Sequence, residues 1–134
     1  MPTKDRQKVI AVDVDGTLCE YDGWKGPAHI GKPFLKVVAV LTKLKERNWS
    51  IVIWTTRKAD SVLRKHLREH NIPFDYINKN PKGPQQGSPK LFADVYWDDR
   101  GFRFNGEKDI DDTEKFVEQL EQLVPWFEKE KPVL

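Results

Sequence analysis

Val9-Ile10-Ala11-Val12-Asp13-Val14-Asp15-Gly16-Thr17 is the stretch whose reading decides the fold. Val9 to Val12 is a β-branched apolar run, the pattern of a buried strand. It leads into two carboxylates two residues apart, then a glycine and a threonine. Desolvating a lone carboxylate costs roughly several kcal/mol, so a buried strand does not end in charge without a reason. Residues i and i+2 of a strand point to the same side. Asp13 and Asp15 are therefore expected to meet at the strand's carboxyl end, where open α/β sheets place their sites. Two such charges about 4 Å apart repel by about 4 kcal/mol at an effective dielectric of about 20. A hard divalent cation is the usual remedy. The plainer alternative is a strand-to-turn transition, because Asp-Gly is common turn chemistry.

A second acidic pair argues against coincidence. Val95-Tyr96-Trp97 is another β-favouring run and ends in Asp98-Asp99. A third, Ile51-Val52-Ile53-Trp54, ends in Thr55-Thr56-Arg57. In a parallel sheet the carboxyl ends of all three strands lie along one edge. Four carboxylates, two hydroxyls and nearby bases would then face a common space.

The composition suits one soluble domain. The chain has 134 residues, 38% of them hydrophobic and 33% charged. A domain of this size buries about two-thirds of its unfolded surface, and disorder is not favoured. The net charge of +2 does not by itself indicate nucleic acid. Cys19 is the single cysteine, which excludes an internal disulfide and a cysteine-based zinc site. Met1 to Lys8 is polar and does not read as a signal peptide. No apolar run is long enough to span a bilayer. The expected location is cytoplasmic, with no membrane partner; the oligomeric state is left open.

Strand and helix patterns alternate along the chain, as in a doubly wound three-layer α/β sandwich with a mostly parallel, Rossmann-like sheet. Phe34 to Arg47 carries apolar residues at helical spacing, and Pro33 sits where helices start. Ala59 to His70 reads as a second helix with Val62, Leu63 and Leu67 on one face. Pro73 to Ile77 and Phe92 to Trp97 read as strands, and residues 78–89 as a loop. Asp111 or Asp112 caps a last helix carrying Phe116, Leu120 and Leu123.

The order Asp13-Val14-Asp15-Gly16-Thr17, then Thr55, then a lysine, then Asp98-Asp99, resembles the four motifs of the haloacid dehalogenase superfamily of phosphohydrolases. The likeness spans roughly Val9 to Arg100 and is greatest to small, capless members. Thr56 is a departure, standing where many members carry glycine or asparagine. The resemblance implies a magnesium-dependent phosphatase that hydrolyses a phosphate monoester through an aspartyl-phosphate. It implies Asp13 as nucleophile and Asp15 as general acid and later base. Asp13, the backbone carbonyl of Asp15, and Asp98 resemble the magnesium ligands, with Asp99 supporting them. Thr55 would bond a phosphate oxygen, and Thr17 would hold the loop. Gly16 allows a turn that a β-carbon obstructs. A lysine would balance charge opposite the metal. Lys90, eight positions before Asp98, is favoured over Lys79 and Lys82.

The expected partner is a small phosphorylated substrate. Nucleotide or nucleic-acid phosphate ends are an alternative substrate class. A receiver-like or catalytically silent magnesium-binding domain is a second alternative, though a receiver places its paired acids and its phosphorylated aspartate differently. No room exists for an inserted cap, only for a short flap at about residues 18–33, so the site is expected to be open on one side. Tyr21 and Trp24 on the flap either stack on a planar substrate group or tuck the flap onto the body. Arg57 either clamps substrate or pairs with an acidic neighbour, and Thr56 stands beside it. His66 and His70 read as part of a solvated basic face, and Cys19 as a small packing residue.

Overall fold

The apolar run near the start of the chain forms β1 (Val9–Val12), and all four of its residues are buried. β2 (Ser50–Ile53) and β4 (Val95–Trp97) flank it, and β3 (Tyr76–Ile77) lies beyond β2, giving the order β3-β2-β1-β4. Every pairing is parallel. The computed structural model describes residues 6–81 and 90–129. Val12 is in register with Ile53 on one side and Trp97 on the other. Asp13, Trp54 and Asp98, the next residues of each strand, therefore emerge side by side. The chain leaves β1 toward β2 and β3 and returns to its other side as β4. Asp13 thus stands at the point where strand order reverses, the place where open α/β sheets bind ligands.

The pleat sorts the core. Ile10, Val12, Ile51, Ile53 and Ile77 pack with Leu41 of α1 (Leu35–Glu46) and with Leu63 and Leu67 of α2 (Ser61–Glu69). Val9, Ala11 and Val52 face the other way and meet Leu91, Ala93 and Tyr76. Strands buried on both faces need apolar residues at every position, which is why β1 and β2 do not alternate. The helices lie where their spacing predicts. Asp60 caps α2 by accepting from the Leu63 N–H at 3.1 Å. Asn48 and Asn71 follow the two helices with φ of 64° and 54°, a left-handed stop that asparagine tolerates. Val62, expected on the buried face of α2, is exposed; Leu63 and Leu67 alone fill that role.

The two outer strands are shorter than their β-favouring runs. Each is preceded by an aspartate that uses its side chain on the neighbouring strand. The Asp75 carboxylate accepts from Ile51 N and the Asp94 carboxylate from Val9 N, at 2.8 and 2.7 Å. Lys45 and Arg6 pair with these same carboxylates. Each aspartate also donates its own backbone N–H to the same neighbour, Asp75 N to Ile51 O and Asp94 N to Val9 O, both at 2.8 Å, so the strand is pinned at its start by one main-chain and one side-chain bond.

Asp112, one of the two expected caps, starts α3 (Thr113–Glu121) by accepting from Lys115 N at 3.0 Å. None of the α3 residues is buried. Phe116 meets Phe102 and Phe104 in edge-to-face contacts rather than the sheet. Pro125 opens α4 (Trp126–Lys129). Among the described residues no helix is long and apolar enough to cross a membrane.

Candidate active site

Asp13 continues β1 by one residue, its N–H bonded to Trp97 O at 3.0 Å. Then the chain turns. The carbonyl of Val14 collects the N–H groups of Leu18 and Cys19 at 3.1 and 2.8 Å, and Gly16 adopts a φ of +85°. A β-carbon at Gly16 would lie 2.4 Å from Asp99 Oδ2, so the loop passes against the second acidic pair and only glycine fits. The Asp15 carboxylate lies in a fork with Arg57, and its charge still acts on Asp13.

Asp13 opens into a cleft of about 430 Å³ whose wall includes Trp54, Thr55, Thr56, Asp98, Asp99 and Arg100. Burial pushes its carboxyl up to about 7, and the charges of Asp99, Asp15 and Asp98 add to this against a backbone bond from Val14. Excess negative charge around one half-buried carboxyl is what a cation relieves. Asp98 Oδ1 accepts the N–H groups of Arg100 and Gly101, the former at 2.8 Å, which fixes the strand-end turn. Among the described residues no three His, Cys, Asp or Glu side chains group to hold a metal ion. The ligand set implied by the resemblance needs fewer, two carboxylates and one carbonyl, and its all-oxygen chemistry fits a hard divalent cation.

Arg57 pairs with an acidic neighbour, one of the two courses its sequence left open. The side chain is buried, and it donates to both oxygens of Asp15, Nε to Oδ2 at 2.8 Å and Nη2 to Oδ1 at 2.9 Å. It also donates to the carbonyls of His29 and Pro27, at 2.9 and 3.4 Å. The guanidinium therefore ties Asp15 to the flap. Its carbon lies 4.9 Å from the ring centre of Trp24, which stacks over it. Tyr21 takes the other course open to a flap aromatic and packs edge-on against Phe127, with ring centres 5.3 Å apart. The flap itself is closed at its base by Glu20 N to Lys32 O and Phe34 N to Leu18 O, both 2.8 Å. Between these ties it forms no helix or strand.

Thr55 Oγ1 accepts from Arg57 N at 3.1 Å, which leaves its O–H to donate into the cleft. Thr56 is exposed at the rim. Thr17 is buried, and its hydroxyl has no hydrogen-bond partner among the described residues. With Gly16, Asp98, Asp99 and Trp126 it borders a second hollow of about 350 Å³. Lys90 is exposed, and its backbone is drawn toward the end of β3 by Asn80. The lysine is not part of the wall of the Asp13 cleft among the described residues. Lys79 is exposed, and Lys82 lies outside the described residues.

Two organising residues carry no motif signal. Asn78, with a φ of 51°, accepts from Thr55 N at 2.8 Å and donates to Arg57 O at 3.1 Å. It braces the β2 loop from the end of β3, and an asparagine directly after a strand was the sole hint. Trp126 donates its indole N–H to Gly16 O at 2.5 Å. No local pattern foretells that contact, since the partners are 110 positions apart. Cys19 is fully buried and its thiol is pushed up to about 12 by burial, as a packing residue should be. His66 lies 3.9 Å from its sulfur and is held below the ordinary histidine range, first by burial and then by His70. It is thus not wholly part of a solvated face.

No family model matches the chain, and no curated protein matches it. Among solved structures it is similar to a conserved protein from Bacteroides thetaiotaomicron, 24% identical, with a TM-score of 0.56 over 95% of this chain and 100% of that one. A protein from Vibrio cholerae is 26% identical over 93% of this chain and 100% of its own, with a TM-score of 0.48. The first likeness shows a shared α/β fold.

Proposed function

We propose that this chain is a magnesium-dependent phosphatase that hydrolyses phosphate monoesters through an aspartyl-phosphate on Asp13. One observation carries the reading. A half-buried carboxyl raised to about 7 stands at the strand-order reversal, with three further carboxylates acting on it. Structural ion-pair networks also shift carboxyl groups, but here the shift comes from burial and like charge rather than from a paired base.

Asp13 attacks phosphorus, and the bond from phosphorus to the ester oxygen breaks. Asp15 takes a proton from solvent as it gives up one bond from Arg57, passes it to the departing oxygen, then takes a proton from the water that attacks the phosphorus of the aspartyl-phosphate and returns it to solvent. Inorganic phosphate leaves, and both carboxyl groups return to their starting state. To do this Asp15 exchanges one of its two bonds from Arg57, which otherwise holds it in place. Thr55 donates to a phosphate oxygen. Magnesium, held by Asp13, Asp98 and the Asp15 carbonyl, would supply the positive charge that a phosphate dianion needs beside a carboxylate.

Phosphate release from a panel of phosphorylated metabolites, mononucleotides and 3′-phosphorylated oligonucleotides tests the reading. Activity should vanish in excess chelator and return with magnesium. Asp13→Asn should abolish it in a folded protein, and Asp15→Asn should slow it by roughly 10²–10⁴-fold. Full turnover by folded Asp13→Asn would refute the assignment.

A further inference from the structure

On the far side of Thr56 from the Asp13 cleft lies a second cleft of about 410 Å³. Trp24, Pro27 and Ile30 of the flap form one wall, and Leu63 of α2 lies opposite. Thr56, Arg57, Lys58 and Asp60 complete it. We propose that this cleft binds a planar ring carried by the leaving group of the phosphate ester, with Trp24 as its stacking platform. The inference rests on the phosphatase reading and names the class of substrate within it.

Three features carry it. First, Trp24 is 58% exposed, the most exposed tryptophan among the described residues. Second, it is not a loose surface residue. Arg57 lies 4.9 Å from its ring centre, and that guanidinium is itself immobilised by Asp15 and by the Pro27 and His29 carbonyls. An exposed ring held in one orientation offers contact area at little further loss of freedom on binding. Third, the cleft adjoins the Asp13 cleft, with Thr56 lining both. Asp15 is the residue proposed to protonate the departing oxygen, and the arginine holding Asp15 is part of the cleft wall. An ester whose phosphorus faces Asp13 and whose bridging oxygen faces Asp15 therefore extends its remaining atoms past Thr56 toward Trp24. Ile30 and Leu63 supply apolar contact for a ring edge, and a hydrophilic chain gains nothing from them.

The test uses p-nitrophenyl phosphate and a nucleoside 5′-monophosphate as planar probes and glycerol 3-phosphate as the alkyl probe. Binding is measured by calorimetry on full-length Asp13→Asn with magnesium, with and without Trp24→Ala or Trp24→Phe. Turnover is measured in parallel on the protein with Asp13 intact. The planar probes should bind more tightly than the alkyl one, and Trp24→Ala should shrink that ratio roughly 5- to 100-fold, the range of single stacking contacts. Trp24→Phe should retain most of it. The two planar probes distinguish a phenolic from a nucleobase ring. Equal affinity for planar and alkyl probes, or a ratio unmoved by Trp24→Ala, overturns the proposal. Trp24-dependent binding of planar probes without any turnover would uphold the cleft and refute the phosphatase reading.

Discussion

Burial and neighbouring carboxylates hold Asp13 near neutrality, and this has a consequence for stability. An acid whose pKa rises on folding keeps a proton that the unfolded chain has already released. The folded state therefore loses stability as pH rises from the ordinary value of 3.8 to about 7, and levels off above that. Asp13→Asn removes the liability. In metal-free buffer its thermal midpoint should gain on the wild type between pH 5 and pH 8, and a gap that is constant across that range would contradict the assignment. Arg57 makes the opposite contribution. It satisfies both oxygens of Asp15, and both side chains are largely covered, 6% and 16% exposed. Arg57→Ala leaves that carboxylate without its partner and should cost about 3 kcal/mol in denaturant unfolding. Arg57→Lys should recover only part, because an ammonium cannot reproduce two parallel N–H bonds. Gly16 adds a residue-level requirement of its own, a left-handed backbone pressed against Asp99.

The elements differ in how they serve the site. β1 and β4 deliver Asp13 and Asp98 by register, and β2 delivers Thr55 one residue further on with Asn78 holding its N–H. The short α4 acts from outside the sheet. Its Trp126 N–H holds the Gly16 carbonyl, and Phe127 packs on Tyr21 of the flap. Trp126→Phe keeps a ring and removes the bond. It should lower stability by about 1 kcal/mol, the usual net worth of one hydrogen bond. It should also reduce kcat more than KM, since the loop it steadies carries Asp15 rather than the proposed ring cleft. Denaturant unfolding and steady-state kinetics on one preparation would check both. The helices were legible from their apolar spacing because burial of a stripe has a period. The short extents of β3 and β4 were not, because each follows an aspartate whose carboxylate takes a neighbouring-strand N–H, a contact that β-propensity does not register.

At the scale of the molecule, one parallel sheet gathers every strand's carboxyl end on one edge, where the flap and α4 meet it among the described residues. The resulting excess of negative charge should make the fold responsive to cations. Magnesium should raise the thermal midpoint at pH 8 in a concentration-dependent way, and Asp98→Ala together with Asp13→Asn should remove most of the rise. A midpoint indifferent to magnesium in the wild type would argue against a cation among these carboxylates.

The sequence by itself determined the parallel α/β sheet, its buried central strands and the arrival of Asp13, Thr55 and Asp98 at a common edge. Those features follow from runs of apolar residues and from what stands directly after them, and both are local. Only the tertiary structure decided that Asp15 pairs with Arg57, that Trp24 stacks on that arginine, and that Trp126 reaches the Gly16 loop. The Asp15 and Gly16 contacts join residues 42 and 110 positions apart. Which side chain answers a given carboxylate depends on how loops lie over the sheet edge, and loop placement is set by many weak contacts with no period to read.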